Sequence, residues 1–173
     1  MIGLSDQILE NINLRWNLQP GDVGAVVHLH AVLYAREYGY DHTFEAYVAA
    51  GLAEFALTFN PDKDRLWVAE AEGRMIGSIA IVRRSEAEAQ VRWFLIHPSH
   101  RGLGLGRALL HAALQFAKER GTQSIFLWTI SNLFAATHLY SEAGFKKTEE
   151  KNHTLWGKTI TEERYDLSLD SGP

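Results

Sequence analysis

Apolar residues recur along the chain with two different periods, and the switch between them divides the sequence. Leu14-Arg15-Trp16-Asn17-Leu18 alternates as a strand does and stops at Pro20-Gly21. Val23, Val26, Val27, His30 and Tyr34 follow at helical spacing after Asp22, the expected N-cap, and Gly39 ends that helix. Phe44, Tyr47, Val48, Gly51, Leu52, Phe55 and Phe59 form the stripe of a second helix. It begins after Asp41 or Thr43 and stops at Asn60-Pro61. The period then drops to two. Residues 65–70 and 75–83 predict strands joined at Glu72-Gly73-Arg74, and 91–97 predicts a third, apolar enough to be central and ended by Pro98. The helical period returns at Leu105, Ala108, Leu109, Ala112, Ala113, Phe116 and Ala117 and halts at Gly121. A buried strand over 124–130, a short helix over 132–143 closed by Gly144, and a pair of strands from Phe145 onward complete the chain. The order β-α-α-β-β-β-α-β-α-β-β is a meander followed by crossovers. It predicts an α/β fold of the α+β kind, a mixed sheet with helices on both faces.

Composition narrows the chemistry. At 173 residues with 46% hydrophobic and 22% charged side chains, one folded domain is expected. It spans 13–169, between an N-terminal extension (1–12) and a short tail (170–173). Lys+Arg 17 against Asp+Glu 21 leaves a net charge of −4 with no basic block, so no nucleic acid is expected as a partner. The absence of cysteine removes disulfides, thiolate-bound zinc and a covalent thioester on the protein. No long apolar run and no signal-peptide pattern occurs, so a cytoplasmic location without membrane attachment is expected. His28 and His30 would diverge by about 200° on a helix, and His97 and His100 flank a proline turn with no third ligand nearby. No metal is expected.

The densest signal is Pro98-Ser99-His100-Arg101-Gly102-Leu103-Gly104-Leu105-Gly106-Arg107, between the end of a strand and the start of an amphipathic helix. Free N–H groups at such a turn share the positive end of the helix dipole, which suits a phosphate or pyrophosphate. A dinucleotide fingerprint fails, because its last glycine would fall on Arg107. A nucleoside-triphosphate loop fails at Gly106-Arg107-Ala108. Taken alone, the turn is also consistent with glycines that serve geometry only.

Arg101-x-x-Gly104-x-Gly106 after an apolar strand resembles motif A of the GNAT N-acyltransferase superfamily. Asn132-x-x-Ala135 and Leu139-Tyr140-x-x-Ala143-Gly144-Phe145 resemble the second cofactor segment of that family, and the element order matches its fold over about 13–169. The resemblance implies a GNAT fold and an acetyl-CoA-dependent N-acetyltransferase that acts by direct attack. It implies a coenzyme A site at Arg101, Gly102, Leu103, Gly104, Leu105, Gly106, Arg107, Asn132 and Ala135. It further implies that Leu95 and Ile96 offer backbone amides to the pantetheine and thioester, and that Tyr140 is the acid for the leaving thiolate. Gly21-Asp22-Val23-Gly24, Leu33-Tyr34-Ala35, Glu37-Tyr38-Gly39 and Thr43-Phe44-Glu45-Ala46 resemble, more narrowly, the acetyltransferase half of bacterial MarR/GNAT fusion proteins.

The remaining roles are less determined. Some relatives carry a Glu base where this chain has Gln90, and an amide cannot accept that proton. Glu88 is two residues earlier, and no base is assigned. Tyr34, Glu37 and Tyr38 share one face of the first helix, which in the family covers the acceptor pocket. With Trp128 and His153 they are the expected acceptor-binding residues, aromatic walls and a carboxylate suiting an ammonium. The expected partner is a small-molecule amine, with room for a homodimer. An acyl-CoA-binding sensor without turnover and a protein-lysine acetyltransferase are the alternatives.

Overall fold

The computed structural model describes residues 11–169; the first ten residues of the expected extension and the tail at 170–173 lie outside them. The elements in order are β1 (Ile12–Arg15), α1 (Asp22–Tyr38), α2 (His42–Thr58), β2 (Arg65–Ala71), β3 (Arg74–Arg83), β4 (Glu88–Ile96), α3 (Leu105–Glu119), β5 (Ser124–Ile130), α4 (Phe134–Glu142), β6 (Lys146–Leu155) and β7 (Lys158–Ser168). They build a seven-stranded sheet in the order β1-β2-β3-β4-β5-β7-β6. Every neighbouring pair is antiparallel except β4 and β5.

Alternation along the strands sends side chains to two cores. On β2, Leu66 and Val68 face the α1–α2 pair, where Val26, Phe44, Leu52 and Phe55 meet them. Trp67 and Ala69 face the other side, with Leu109, Leu110 and Phe116 of α3 and Tyr140 of α4. The mixed sheet with helices on both faces is therefore as the periodicity predicts.

Asp22 differs from its expected role. The cap is Gly21, held in the left-handed region at φ 96°, and the buried Asp22 carboxylate instead accepts the Gln19 N–H and two bonds from Arg15. A carboxylate this buried needs a cation, and Arg15 supplies one. β1 ends at Arg15 rather than at Leu18.

Two departures from regular sheet shape the molecule. The β6–β7 turn is Trp156-Gly157, both left-handed at φ 54° and 77°, as a two-residue hairpin requires. Its Trp156 ring inserts beneath the helix pair, with centroids 5.0–5.3 Å from Phe44, Tyr40 and Tyr47. In β4, Trp93 is also left-handed (φ 47°), and the β3–β4 register slips opposite it, between Ser78 and Ala80. The fully buried Ser78 hydroxyl donates to the Trp93 carbonyl at 2.7 Å, which satisfies the group the bulge turns out of the ladder.

Candidate active site

β4 and β5 run together for only three residue pairs, Glu88–Ser124, Ala89–Ile125 and Gln90–Phe126. Beyond Gln90 the strands diverge, while β5 stays paired with β7 along its whole length. Val91 to Ile96 therefore have no ladder partner on that side. The bulge at Trp93 bends β4 where the gap opens, as bulges do.

Which amides face the gap follows from the register. His97 N–H donates to Ile76 O at 2.7 Å, and Gly77 lies opposite Ile96. Hydrogen-bonded and non-bonded pairs alternate in an antiparallel ladder, so Leu95 N–H is aimed at β3, and those of Phe94 and Ile96 point into the gap. Of the two amides the family resemblance implies, that of Ile96 faces the gap and that of Leu95 faces β3, and the Phe94 amide faces the gap as well.

The gap leads to the glycine turn. After a short 3-10 turn at Pro98–His100, Gly102 and Gly104 take φ 76° and 83°, which only glycine adopts without strain. Among the described residues, no backbone hydrogen bond uses the N–H groups of residues 102–107. Leu105 buries its side chain in the core and Leu103 lies off the cavity, so each contributes only its backbone to this nest. The two arginines are already engaged. Arg101 Nε donates to Ile96 O at 2.9 Å, and its two Nη atoms grip Glu37 at 2.5 and 3.0 Å. Arg107 pairs with Glu142 at 2.6 Å.

A cavity of about 700 Å³ joins these parts. Gly102, Gly104, Gly106, Asn132, Ala135 and Tyr140 line it, and so do Tyr34, Tyr38 and Trp128. Tyr140 is 5% exposed, packed between Phe94, Phe145 and Tyr165, and burial raises its pKa. Its hydroxyl has no hydrogen-bond partner among the described residues, so it is free to serve whatever enters the cavity. Burial raises the pKa of Tyr34 as well.

The expected acceptor cluster divides. Tyr34 and Tyr38 reach the cavity, with ring centroids 5.2 Å apart, but Glu37 does not line it and is committed to Arg101. His153 lies behind the wall, its Nε2 2.9 Å from Glu162 Oε2 but out of line for a hydrogen bond. Glu162 itself lines the cavity, as do Gln90, Arg92, Tyr47 and Trp156. Arg92, Tyr47, Trp156 and Glu162 carry no motif in the sequence, although alternation along β4 and β7 marks Arg92 and Glu162 as sharing a face with their i±2 neighbours. Gln90 is held through its oxygen, which accepts from Arg84 Nε and Nη2 at 2.9 and 2.7 Å. Glu88 is drawn to Arg164 at 3.5 Å. Among the described residues, no helix is long and apolar enough to cross a membrane.

Residues 27–145 match the Acetyltransferase (GNAT) family. A rat protein described as N-acetyltransferase family 8 member 3 is 38% identical over 94 residues, covering 51% of this chain and 41% of that protein. The chain thus spans less than half the length of the curated relatives it matches. Among solved structures, an acetyltransferase from Streptococcus agalactiae is similar with a TM-score of 0.76 at 20% identity, covering 92% of this chain and 99% of that one. An acetyltransferase from Salmonella typhimurium, solved with its cofactor acetyl-CoA, gives 0.68 at 21% identity, covering 94% and 96%.

Proposed function

The chain belongs to the GNAT family of acetyltransferases, and on that premise we propose that it moves an acetyl group from acetyl-CoA to a small-molecule amine by direct attack, with no acyl-enzyme. The observation that carries this reading is the gap between β4 and β5, whose unpaired amides run into the free N–H groups of the glycine turn. Together they form a continuous line of backbone donors that fits a pantetheine arm ending in a pyrophosphate.

In this reading the N–H groups of residues 102–107 hold the pyrophosphate. The Phe94 and Ile96 amides receive the pantetheine and the thioester oxygen, where negative charge develops as the amine attacks. Tyr140, kept neutral by burial, meets the departing sulfur as a hydrogen-bond donor. The amine gives up its proton on the acceptor side, where Glu162 is the carboxylate on the wall. Gln90 is fixed by Arg84 as a positioning group, not a base. A cytoplasmic setting, where acetyl-CoA is supplied, is part of the same reading.

Acetyl-CoA should raise the melting temperature, since a ligand that binds only the folded state adds about 2.7 kcal/mol at 100 Kd. Gly104→Asp, which strains a left-handed position and adds negative charge at the nest, should abolish the rise. An indifferent wild-type melt, or a fully responsive mutant, would refute the assignment. A rise without thioester consumption across an amine panel would favour the sensor reading.

A further inference from the structure

We propose that the acceptor is an amino acid, its carboxylate docked on Arg92 and Gln90 and its amino group turned toward the thioester. This rests on the acetyltransferase reading and adds the chemistry of the acceptor to it.

The cations around the cavity are not equivalent. Arg101 and Arg107 at the nest each hold a carboxylate. Arg92, which lines the cavity from β4, holds none among the described residues. Its contacts are neutral: Nη2 reaches the Tyr47 hydroxyl at 3.4 Å, and the guanidinium lies 4.5 Å from the Trp93 ring and 5.8 Å from that of Tyr47. Aromatic faces seat a guanidinium without neutralising it, so its donors stay available.

The seat is built. Gly51 lies inside α2, where glycine costs about 1 kcal/mol relative to alanine. A Cβ there would stand 3.0 Å from both Nη1 and Nη2 of Arg92, which at this point borders both the cavity and a smaller pocket lined by Gly51. The helix gives up a side chain where the guanidinium passes.

Gln90 adds to the same recognition. It lies two residues before Arg92 on one face of β4, roughly 7 Å along the strand. Arg84 occupies its amide oxygen, so the group left for the cavity is the NH2. Burial and the nearby Arg92 charge lower the pKa of Arg84, which also has no carboxylate partner among the described residues. Glu54 and Asp64 lie near Arg84 on the far side, in a smaller neighbouring pocket, so on the cavity side it is the Arg92 guanidinium and the Gln90 NH2 that present donors. The complement of such a wall is an acceptor-only anion, and a guanidinium grips a carboxylate in two bonds.

Glu162 lines the same cavity from β7 and can meet an ammonium, so a zwitterion finds both of its charges answered. Tyr47, Trp128 and Trp156 leave apolar walls for a side chain. A lysine on a protein surface brings no carboxylate to Arg92, and a polycationic amine would be repelled by it.

The test compares each of the twenty common amino acids with its decarboxylated amine. Thioester consumption with acetyl-CoA is one readout; the melting temperature of the CoA-saturated protein with each ligand is a second that needs no turnover. At least one amino acid should raise the melt and exceed its amine in kcat/KM by about ten- to hundredfold, the factor expected for hydrogen bonds to a charged group. Arg92→Gln should erase that preference and leave the acetyl-CoA-induced melting rise intact. Gly51→Ala, which crowds Arg92 without removing it, should weaken it. Amines that match or beat their amino acids, no amino acid that shifts the melt, or a preference that survives Arg92→Gln would overturn the proposal. Failure of the protein to respond to acetyl-CoA would instead sink the acetyltransferase reading, and the amino-acid melts would still decide this one.

Discussion

Ser78→Ala isolates the device that opens the sheet. The wild-type hydroxyl sits at 0% exposure and donates to the carbonyl of Trp93, a residue held left-handed at φ 47°. That conformation costs a non-glycine residue about 1–2 kcal/mol, so something must hold it. Removing the hydroxyl leaves a carbonyl without its partner in a site that water cannot reach, a loss of about 1–3 kcal/mol. For a domain of this size that is roughly 3–10 °C in melting temperature. The consequence should also reach the cofactor. Once the bulge relaxes, the Phe94 amide one residue on is no longer aimed into the gap. The KM for acetyl-CoA should then rise by about fivefold, the equivalent of 1 kcal/mol. Thermal melts with and without acetyl-CoA, with initial rates across acetyl-CoA concentration, make the measurement. A mutant that melts within about 1 °C of wild type and keeps its acetyl-CoA KM would refute the argument that this bond maintains the bulge.

Tyr140→Phe should lower kcat by about 10²–10⁴-fold with acetyl-CoA affinity little changed; a mutant within twofold of wild type would make Tyr140 a packing residue. Glu37→Gln should raise the KM for acetyl-CoA by about two- to fivefold, the range of an exposed ion pair, and leave the acceptor KM alone, because the carboxylate tethers Arg101 and lies off the cavity; the opposite split would return Glu37 to the acceptor site. His30 is buried against Tyr34, with Nδ1 2.8 Å from Val26 O, and burial lowers its pKa to about 4. The unfolded chain binds that proton first, so stability should fall as pH drops from about 6.5 toward 4, by about 2–3 kcal/mol. Denaturant titrations across that window should show the slope flattened in His30→Phe, and an unchanged slope would assign the acid sensitivity elsewhere.

What the chain reveals in one dimension is what is local in it. The glycine turn is legible because Gly102 and Gly104 must be glycine for backbone reasons that need no partner. The helix stripes and the two-residue turn at Glu72-Gly73 are legible for similar reasons. The bulge is not, since nothing next to Trp93 announces a left-handed residue, and its support, Ser78, lies on another strand. One register step then decides which amides face the gap, and position within the motif alone does not show that the Phe94 N–H joins that of Ile96 there. Glu37 is misplaced by helical spacing alone: its position beside Tyr34 and Tyr38 is real, but its partner is Arg101, 64 residues away. Arg92 and Glu162 sit on strands whose alternating charges read as a solvent face until a helix pair is laid across them.

The brief contact between β4 and β5 has a mechanical meaning. Strands β1 to β4 form one antiparallel leaf and β5, β7 and β6 another, and within the sheet the leaves are stitched only at Glu88 to Gln90. The molecule is a book bound at one end of its spine. Amide exchange in the two leaves should therefore decay with separate rates, and a long ligand lying in the fold, bonded to one page and packed on the other, should make them exchange as one.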